Sequence, residues 1–150
     1  MSSKILDDDS PKLSEIFEYQ HVVREDEIDE QGHANNVVYV AWLQDAAVAH
    51  TTALGWSGER YKQFGFGWVA RSHKIEYLRP AFVNDSIVVQ TWVATMQKVT
   101  SIRRYEIVRP ADGEILAKAE TNWAFIDFST GRPTRIPLEI SSVFQLLKRK

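Results

Sequence analysis

One apolar segment, residues 37–54, constrains the fold of this 150-residue chain more than any other feature. Its sequence is VVYVAWLQDAAVAHTTAL, which contains neither glycine nor proline, and it is followed by Gly55, a residue type that commonly ends helices. The segment therefore predicts one helix about 27 Å long. Because its first half is apolar nearly all the way round, we expect the rest of the chain to wrap it.

Five segments outside this helix alternate along the chain as β-strands do. One precedes the helix and four follow it, which gives the order β-α-β-β-β-β. The predicted strands are residues 16–24, 69–78, 86–96, 99–109 and 115–128. Short helices are also predicted over residues 56–64 and from Pro137 to Leu147. Successive hairpins imply an antiparallel sheet, and a sheet curled around one helix is the α+β architecture known as the hot-dog fold.

Length and composition indicate a single folded domain. The chain is 44% hydrophobic and 25% charged, as ordinary globular domains are. Residues 1–14 are polar and contain Pro11, which predicts a flexible N-terminal arm before a domain that spans residues 15–150. The sequence shows neither a signal-peptide pattern nor an apolar run of membrane-spanning length, so we expect a cytoplasmic location.

Charge and cysteine content argue against several classes of function. The formal net charge is -2, which gives no reason to expect a nucleic-acid partner. The chain has no cysteine, which excludes a disulfide framework, a thiolate nucleophile and a cysteine-ligated zinc site. The four histidines lie in different predicted elements, without the spacing of metal ligands, so we expect no metal.

The densest group of polar residues lies just before the long helix. Its members are Asp29, Gly32, His33, Asn35 and Asn36. The first N–H groups of a helix have no partner within it and carry a partial positive charge, so they bind anions and stabilise a developing oxyanion. Asp29 could face an electrophile held on those N–H groups, with Gly32 allowing the sharp turn between them. The pattern therefore predicts a nucleophile or general base beside an oxyanion hole.

Together with Tyr39 and Trp42, these residues resemble the signature of the 4-hydroxybenzoyl-CoA thioesterase family of hot-dog proteins. Residues 75–81 and 127–133 are also similar to the family, and the resemblance spans residues 16–137. It implies hydrolysis of an acyl-CoA thioester, with coenzyme A present as part of the substrate and no further cofactor. It also implies homodimers whose sheets join, often paired into homotetramers, with active sites at the subunit interface.

The resemblance also implies roles for individual residues. Asp29 either attacks the thioester carbonyl to form an anhydride or activates a water molecule, while the backbone N–H of Asn36 polarises that carbonyl. His33 either acts as a general acid or braces the loop. Asn35, like Asn36, is expected to cap the helix with its side chain. The candidate substrate-binding residues are Asn35, Tyr39, Trp42, Lys98, Arg132 and Arg135, the last three as ligands of the CoA phosphates.

Two positions depart from the family. Many relatives have aspartate where this chain has Glu27, and arginine where Ala47 aligns. We expect Glu27 to be a solvated neighbour of the site.

Two other functions fit the same fold. A hydratase or dehydratase of acyl-CoA or acyl-carrier protein would need an acid–base pair such as Asp29 with His33. A non-catalytic module that binds acyl-CoA would not need Asp29.

Overall fold

Five antiparallel strands form one sheet in the order β1-β3-β4-β5-β2 over residues 16–148, the part of the chain that the computed structural model describes. The strands are β1 (Phe17–Val22), β2 (Phe66–Tyr77), β3 (Ser86–Val93), β4 (Thr100–Arg109) and β5 (Glu114–Asp127). All four pairings are antiparallel, as predicted. Only β3–β4 and β4–β5 are hairpins between consecutive strands, because β1 pairs with β3 and β2 pairs with β5. The predicted N-terminal arm, residues 1–14, lies outside the described residues.

The long helix, α1 (Asn36–Ala53), packs against the sheet and begins and ends one residue before the predicted bounds. Its buried residues recur every three or four positions, which is the spacing of one helical face. They are Tyr39, Trp42, Leu43, Ala46, Ala47 and His50. Val37 and Val48, on the other side of α1, are 74% and 56% exposed. The apolar character of the segment therefore exceeds what this sheet covers.

A bulge in β2 corrects the predicted alternation of that strand. Ala70 pairs with Trp123 and Ser72 pairs with Asn122, so Arg71 is an extra residue between them. The inserted residue reverses which side chains face the core. Trp68 before the bulge and Ile75 after it both pack against core clusters, although they differ by an odd number of positions. The prediction that Val69 and Arg71 share one face with Ile75 is therefore wrong, whereas His73, after the bulge, does share that face.

The shorter helices are only partly as predicted. Helix α2 (Gly58–Phe64) is capped by the Ser57 side chain and ends at Gly65, whose φ of 90° is the left-handed conformation that glycine adopts easily. Helix α3 (Leu138–Ser141) is a single turn, so the predicted helix from Pro137 to Leu147 is wrong beyond that turn. The chain instead forms a parallel bridge between Leu146 and Val93. None of the helices in residues 16–148 is long and apolar enough to cross a membrane.

The buried face of α1 should dominate the stability of the domain. Leu43 is fully buried in the core cluster, so Leu43→Ala removes apolar contacts and leaves a cavity. We expect this variant to lose about 2–5 kcal/mol of unfolding free energy. Val48→Ala, on the exposed side of the same helix, should change it by less than about 0.5 kcal/mol. Chemical denaturation of both variants measures the difference, and equal losses would contradict the assigned helix orientation.

Candidate active site

The segment from Ile28 to Ala34 forms a closed turn before α1. Ile28 and Ala34 pair as an isolated antiparallel bridge, and the N–H of Asp29 donates to the carbonyl of His33 at 3.0 Å. Within the turn, the N–H of Gly32 donates to the carbonyl of Asp29 at 3.1 Å. Gly32 has a φ of 91°, a conformation that disfavours any residue with a Cβ. Gly32 therefore shapes the turn, as the sequence predicts.

This turn brings the side chains of Asp29 and His33 together. Oδ1 of Asp29 accepts a hydrogen bond from the N–H of Gln31 at 2.9 Å, which fixes the carboxylate. Oδ2 lies 4.0 Å from Nδ1 of His33, close enough for charge interaction but too far for a hydrogen bond. Both side chains are about one-third exposed. A solvent-accessible carboxylate beside an imidazole can bind, attack or exchange a proton with a molecule that enters from solvent.

Asn35 and Asn36 have different roles at the start of α1. The side chain of Asn35 accepts from the N–H of Val37 at 3.0 Å and is the N-cap. Asn36 is the first helical residue, so the prediction that its side chain caps the helix is wrong. Asn36 is an exposed residue, and no atom in residues 16–148 accepts a hydrogen bond from its backbone N–H. The Tyr77 hydroxyl donates to the Asn36 carbonyl at 3.1 Å, which joins the helix start to the end of β2.

Glu27 is a second residue near the site for which the sequence-based expectation is wrong. It is only 5% exposed, so the expectation of a solvated neighbour is wrong. Its Oε1 accepts from Nε2 of His21 and from the N–H of Arg24, both at 2.9 Å, and its Oε2 accepts from Nε1 of Trp42 at 3.0 Å. Burial by itself would raise the pKa of Glu27, but these hydrogen bonds together lower it below 4.5.

The contacts of Glu27 fasten the candidate site to the fold. His21 belongs to β1, Trp42 belongs to α1, and the carbonyl of Glu27 accepts from the N–H of Asn35 at 2.9 Å. One residue therefore links an edge strand, the long helix and the helix cap, two positions before Asp29. A sequence signal did exist, because His21 and the Trp42 indole both occupy core-facing positions and need a buried acceptor.

Tyr39 and Trp42 form the wall beneath the helix start. They are 2% and 1% exposed, and their ring centroids lie 4.7 Å apart. Tyr39 also meets the Tyr77 ring edge-on at 5.0 Å. Both rings are covered within a single chain. The contact of Tyr39 and Trp42 with substrate therefore stays a prediction.

The three predicted phosphate ligands, Lys98, Arg132 and Arg135, are exposed at the other end of the sheet. Lys98 lies in the β3–β4 turn, and its carbonyl accepts from the N–H of Ile136 at 2.8 Å, which holds the segment containing Arg135 beside it. Within one chain these residues lie far from Asp29, so the structure does not bring the two predicted groups together.

An apolar pocket of about 230 Å³ opens at this second end. Its lining includes Ala47, Val48, Thr51, Trp68, Met96 and Phe128. The helical residues of this lining lie eleven to fifteen positions after Asn36, which corresponds to roughly 16–22 Å along α1. The polar turn and the pocket therefore lie at opposite ends of the same helix.

The family model of the acyl-ACP thioesterase N-terminal domain matches residues 14–144 of this chain. A chloroplastic palmitoyl-acyl carrier protein thioesterase of Gossypium hirsutum is 26% identical over 136 residues. That match covers 83% of this chain and 32% of the relative, so the chain spans about a third of the length of the curated proteins it matches first.

Solved structures share the architecture. A 1,4-dihydroxy-2-naphthoyl-CoA thioesterase from Synechocystis superposes with a TM-score of 0.79 and 18% identity, over 85% of this chain and 94% of that one. The SAV2348 protein from Staphylococcus aureus, solved in complex with CoA, gives a TM-score of 0.80 and 16% identity, over 85% and 80% of the two chains. These similarities establish the hot-dog fold that the sequence predicts.

The buried Glu27 network should make stability depend on pH. The folded pKa of Glu27 lies below its ordinary value of 4.5, so its stabilisation is present above about pH 4.5 and is lost as the pH falls through the folded pKa. We expect Glu27→Gln to lose about 1–3 kcal/mol of unfolding free energy at pH 7 and less below pH 4. Denaturation across this pH range tests this, with Asp26→Asn, in the same turn but exposed, as the matched control. A loss independent of pH would contradict the ionised network.

Proposed function

The chain belongs to the acyl-ACP thioesterase N-terminal domain family, and from that membership we propose that it hydrolyses an acyl thioester to the free acid and a thiol. The observation that supports this most directly is the solvent-accessible Asp29 carboxylate, which is held in the turn that leads into the open start of α1. A helix start with a free N–H stabilises the oxyanion that forms when a thioester carbonyl is attacked.

The chemistry follows from these two groups. The thioester oxygen accepts a hydrogen bond from the N–H of Asn36, which draws electrons from the carbonyl carbon. Asp29 then attacks that carbon and expels the thiolate to leave an anhydride, which water cleaves, or it takes a proton from a water that attacks instead. In both routes water supplies the oxygen of the acid and the proton of the thiol. His33, 4.0 Å from Asp29, is within range to orient the carboxylate or the water.

We place each active site between two copies of the chain. Strand β2 is an outer strand, and one of its edges has no strand partner within residues 16–148. Exposed apolar side chains lie along or just after it: Val69, Tyr77, Leu78 and Phe82. Pairing of two β2 strands across a two-fold axis would cover this surface and extend the sheet.

Such pairing would also join the two ends of α1 that one chain keeps apart. In an antiparallel pair, the start of one β2 lies beside the end of the other. The start of β2 contributes Gly67 and Trp68 to the apolar pocket, and its end contributes Tyr77, which holds Asn36. The pocket of one copy would then receive the acyl group of a thioester bound at the helix start of the other.

For the carrier we favour coenzyme A. The exposed Lys98, Arg132 and Arg135 lie at the pocket end of the sheet, where phosphate groups of CoA could bind them. The SAV2348 neighbour was solved with CoA, whereas the Gossypium relative is a thioesterase of acyl-carrier protein. Thiol release from matched acyl-CoA and acyl-carrier protein substrates separates the two carriers. The expected cytoplasmic location stays a prediction.

The proximity of Asp29 and His33 favours one second candidate, a hydratase or dehydratase that acts on the acyl β-carbon. Product analysis decides between the two reactions. Release of free thiol supports hydrolysis, whereas interconversion of enoyl and β-hydroxyacyl thioesters without thiol release supports the alternative.

The first prediction for catalysis concerns Asp29. Asp29→Asn keeps the shape of the side chain and removes its basicity and nucleophilicity, so we expect thiol release to fall by at least about 10²-fold to 10⁴-fold. Glu30→Gln changes the exposed neighbouring carboxylate and should leave the rate near that of the unsubstituted protein. Near-normal thiol release by folded Asp29→Asn would refute the mechanism.

The backbone N–H of Asn36 is the second group whose removal should slow catalysis. Proline is tolerated at the first position of a helix and lacks an N–H, and Asn35 has the extended backbone (φ -64°, ψ 135°) that a following proline requires. Asn36→Pro should therefore keep the fold and lower kcat by about 10²-fold to 10³-fold. Asn36→Ala retains the N–H and should stay active.

Mixing the two inactive proteins tests whether the site is shared. If Asp29 and Asn36 of one site come from different copies, a heterodimer of Asp29→Asn and Asn36→Pro contains one intact site, and thiol release reappears. If both residues act within one chain, every site keeps one defect and the mixture stays inactive, which would exclude a site whose Asp29 and Asn36 come from different copies.

A further inference from the structure

Arg103 is a buried cation on the pocket side of β4. Its side chain belongs to the pocket lining, yet the residue is only 4% exposed. Its Nη1 lies 3.0 Å from Nδ1 of His50 and 3.1 Å from Oγ1 of Thr91, which it meets between α1 and the sheet. These polar partners are an imidazole and a hydroxyl, so neither supplies a negative charge.

His50 cannot share the positive charge. Its ring stacks on Phe17 at 5.0 Å and meets Phe144 edge-on at 6.0 Å. This burial, with the nearby positive charge of Arg103, lowers the pKa of His50 to about 3. At neutral pH the imidazole is therefore uncharged, and its Nδ1 accepts the hydrogen bond from Arg103.

The charge of Arg103 has no counter-ion in residues 16–148, where no carboxylate lies within ion-pair distance of the guanidinium. Burial lowers the pKa of Arg103, but a guanidinium stays protonated in proteins. Among the described residues, hydrogen-bond partners are found for Nη1 alone, so none of these residues uses the donors of Nε and Nη2. A buried charge without an opposite charge destabilises the fold. A contribution to the stability of the fold therefore does not explain why this position is an arginine.

The remaining pocket wall narrows the choice of ligand. Most of the lining is apolar, including Trp68, Met96 and Phe128. The Tyr61 hydroxyl accepts from Nε1 of Trp68 at 2.9 Å, which leaves its own O–H free to donate. An apolar wall with one guanidinium and one hydroxyl donor complements a hydrocarbon chain that ends in an anion. The planar donor fork of arginine matches the two oxygens of a carboxylate.

We propose that the pocket binds the far end of an acyl group that terminates in a carboxylate, with Arg103 as the specificity-determining residue. The substrate class is then the half-thioester of a straight-chain dicarboxylic acid. This rests on the proposed thioesterase function and specifies its substrate. The thioester lies at the helix start of one copy, the chain enters the pocket of the other, and the terminal carboxylate meets Arg103.

The kinetic test compares acyl-CoA thioesters of equal chain length with and without a terminal carboxylate. The unsubstituted protein should prefer the carboxylated substrate in kcat/KM by about tenfold to a hundredfold, the usual worth of a charged hydrogen bond. Arg103→Met should abolish this preference, and Arg103→Lys should retain part of it. Arg104→Met, on the other face of β4, is the matched control and should retain all of it. Absence of the preference, or its persistence in folded Arg103→Met, would overturn the proposal.

A binding test does not depend on catalysis or on any variant. The monomethyl ester of a straight-chain dicarboxylic acid retains one carboxylate, while the dimethyl ester has none. The monoester should bind more tightly by a similar factor, measured by fluorescence of Trp68 and Trp123 in the pocket wall. Equal binding of the two esters would overturn the carboxylate site. Tighter monoester binding without thioester hydrolysis would support the carboxylate site and contradict the proposed thioesterase function. Hydrolysis with neither the kinetic preference nor the binding preference would support the thioesterase function and contradict the carboxylate site.

Discussion

The buried carboxylate of Glu27 is the interaction on which the arrangement of the candidate site depends. It accepts hydrogen bonds from β1, from its own turn and from the middle of α1, through His21, Arg24 and Trp42. A buried carboxylate is tolerable only when such donors satisfy it, so the three elements must meet in this one geometry. Asp29 follows two residues later and Asn35 is bound to the Glu27 carbonyl, so both ends of the polar turn inherit that geometry.

The helix that this network anchors has the proposed catalytic groups at its start and the apolar pocket near its end. Its start offers the backbone N–H of Asn36 and a partial positive charge. Its later turns offer small side chains, Ala47 and Val48, to an apolar pocket. About three helical turns lie between the helix start and these two residues, so a small acyl thioester cannot use both within one chain. Pairing of two copies through the β2 edge that has no strand partner in residues 16–148 would remove this difficulty, because antiparallel pairing reverses the direction of the second copy. Under this proposal, dimerisation completes the site.

Much of the fold follows from periodicity. The eighteen-residue helix and the four strands that follow it are predicted within a few residues, because each depends on local sequence. The pairing of β2 with β5 instead of β3 is not predictable in this way, since it joins segments distant in the sequence. The polar turn is predictable for the same reason, with Gly32 adopting the left-handed backbone that a tight turn requires. The β2 bulge is not predictable, since Arg71 is inserted only relative to a partner strand. The last segment is also set by distant contacts, because Leu146 pairs with Val93 instead of continuing a helix.

The burial of Glu27 and of Arg103 could not be predicted for one physical reason, which is that burial of a charge is a tertiary property. Glu27 stands in a run of charged residues that is typical of a solvated loop, and Arg103 stands in a strand with charged neighbours. Only the folded chain shows that each is covered. Glu27 and Arg103 differ in how far neighbouring groups compensate their charge. The donors around Glu27 lower its pKa and hold it ionised, so its role is explained inside the chain. Arg103 meets neutral acceptors alone, and its unused donors lie beside an apolar pocket. A charge that the fold neither neutralises nor needs for packing is best explained by a ligand that neutralises it.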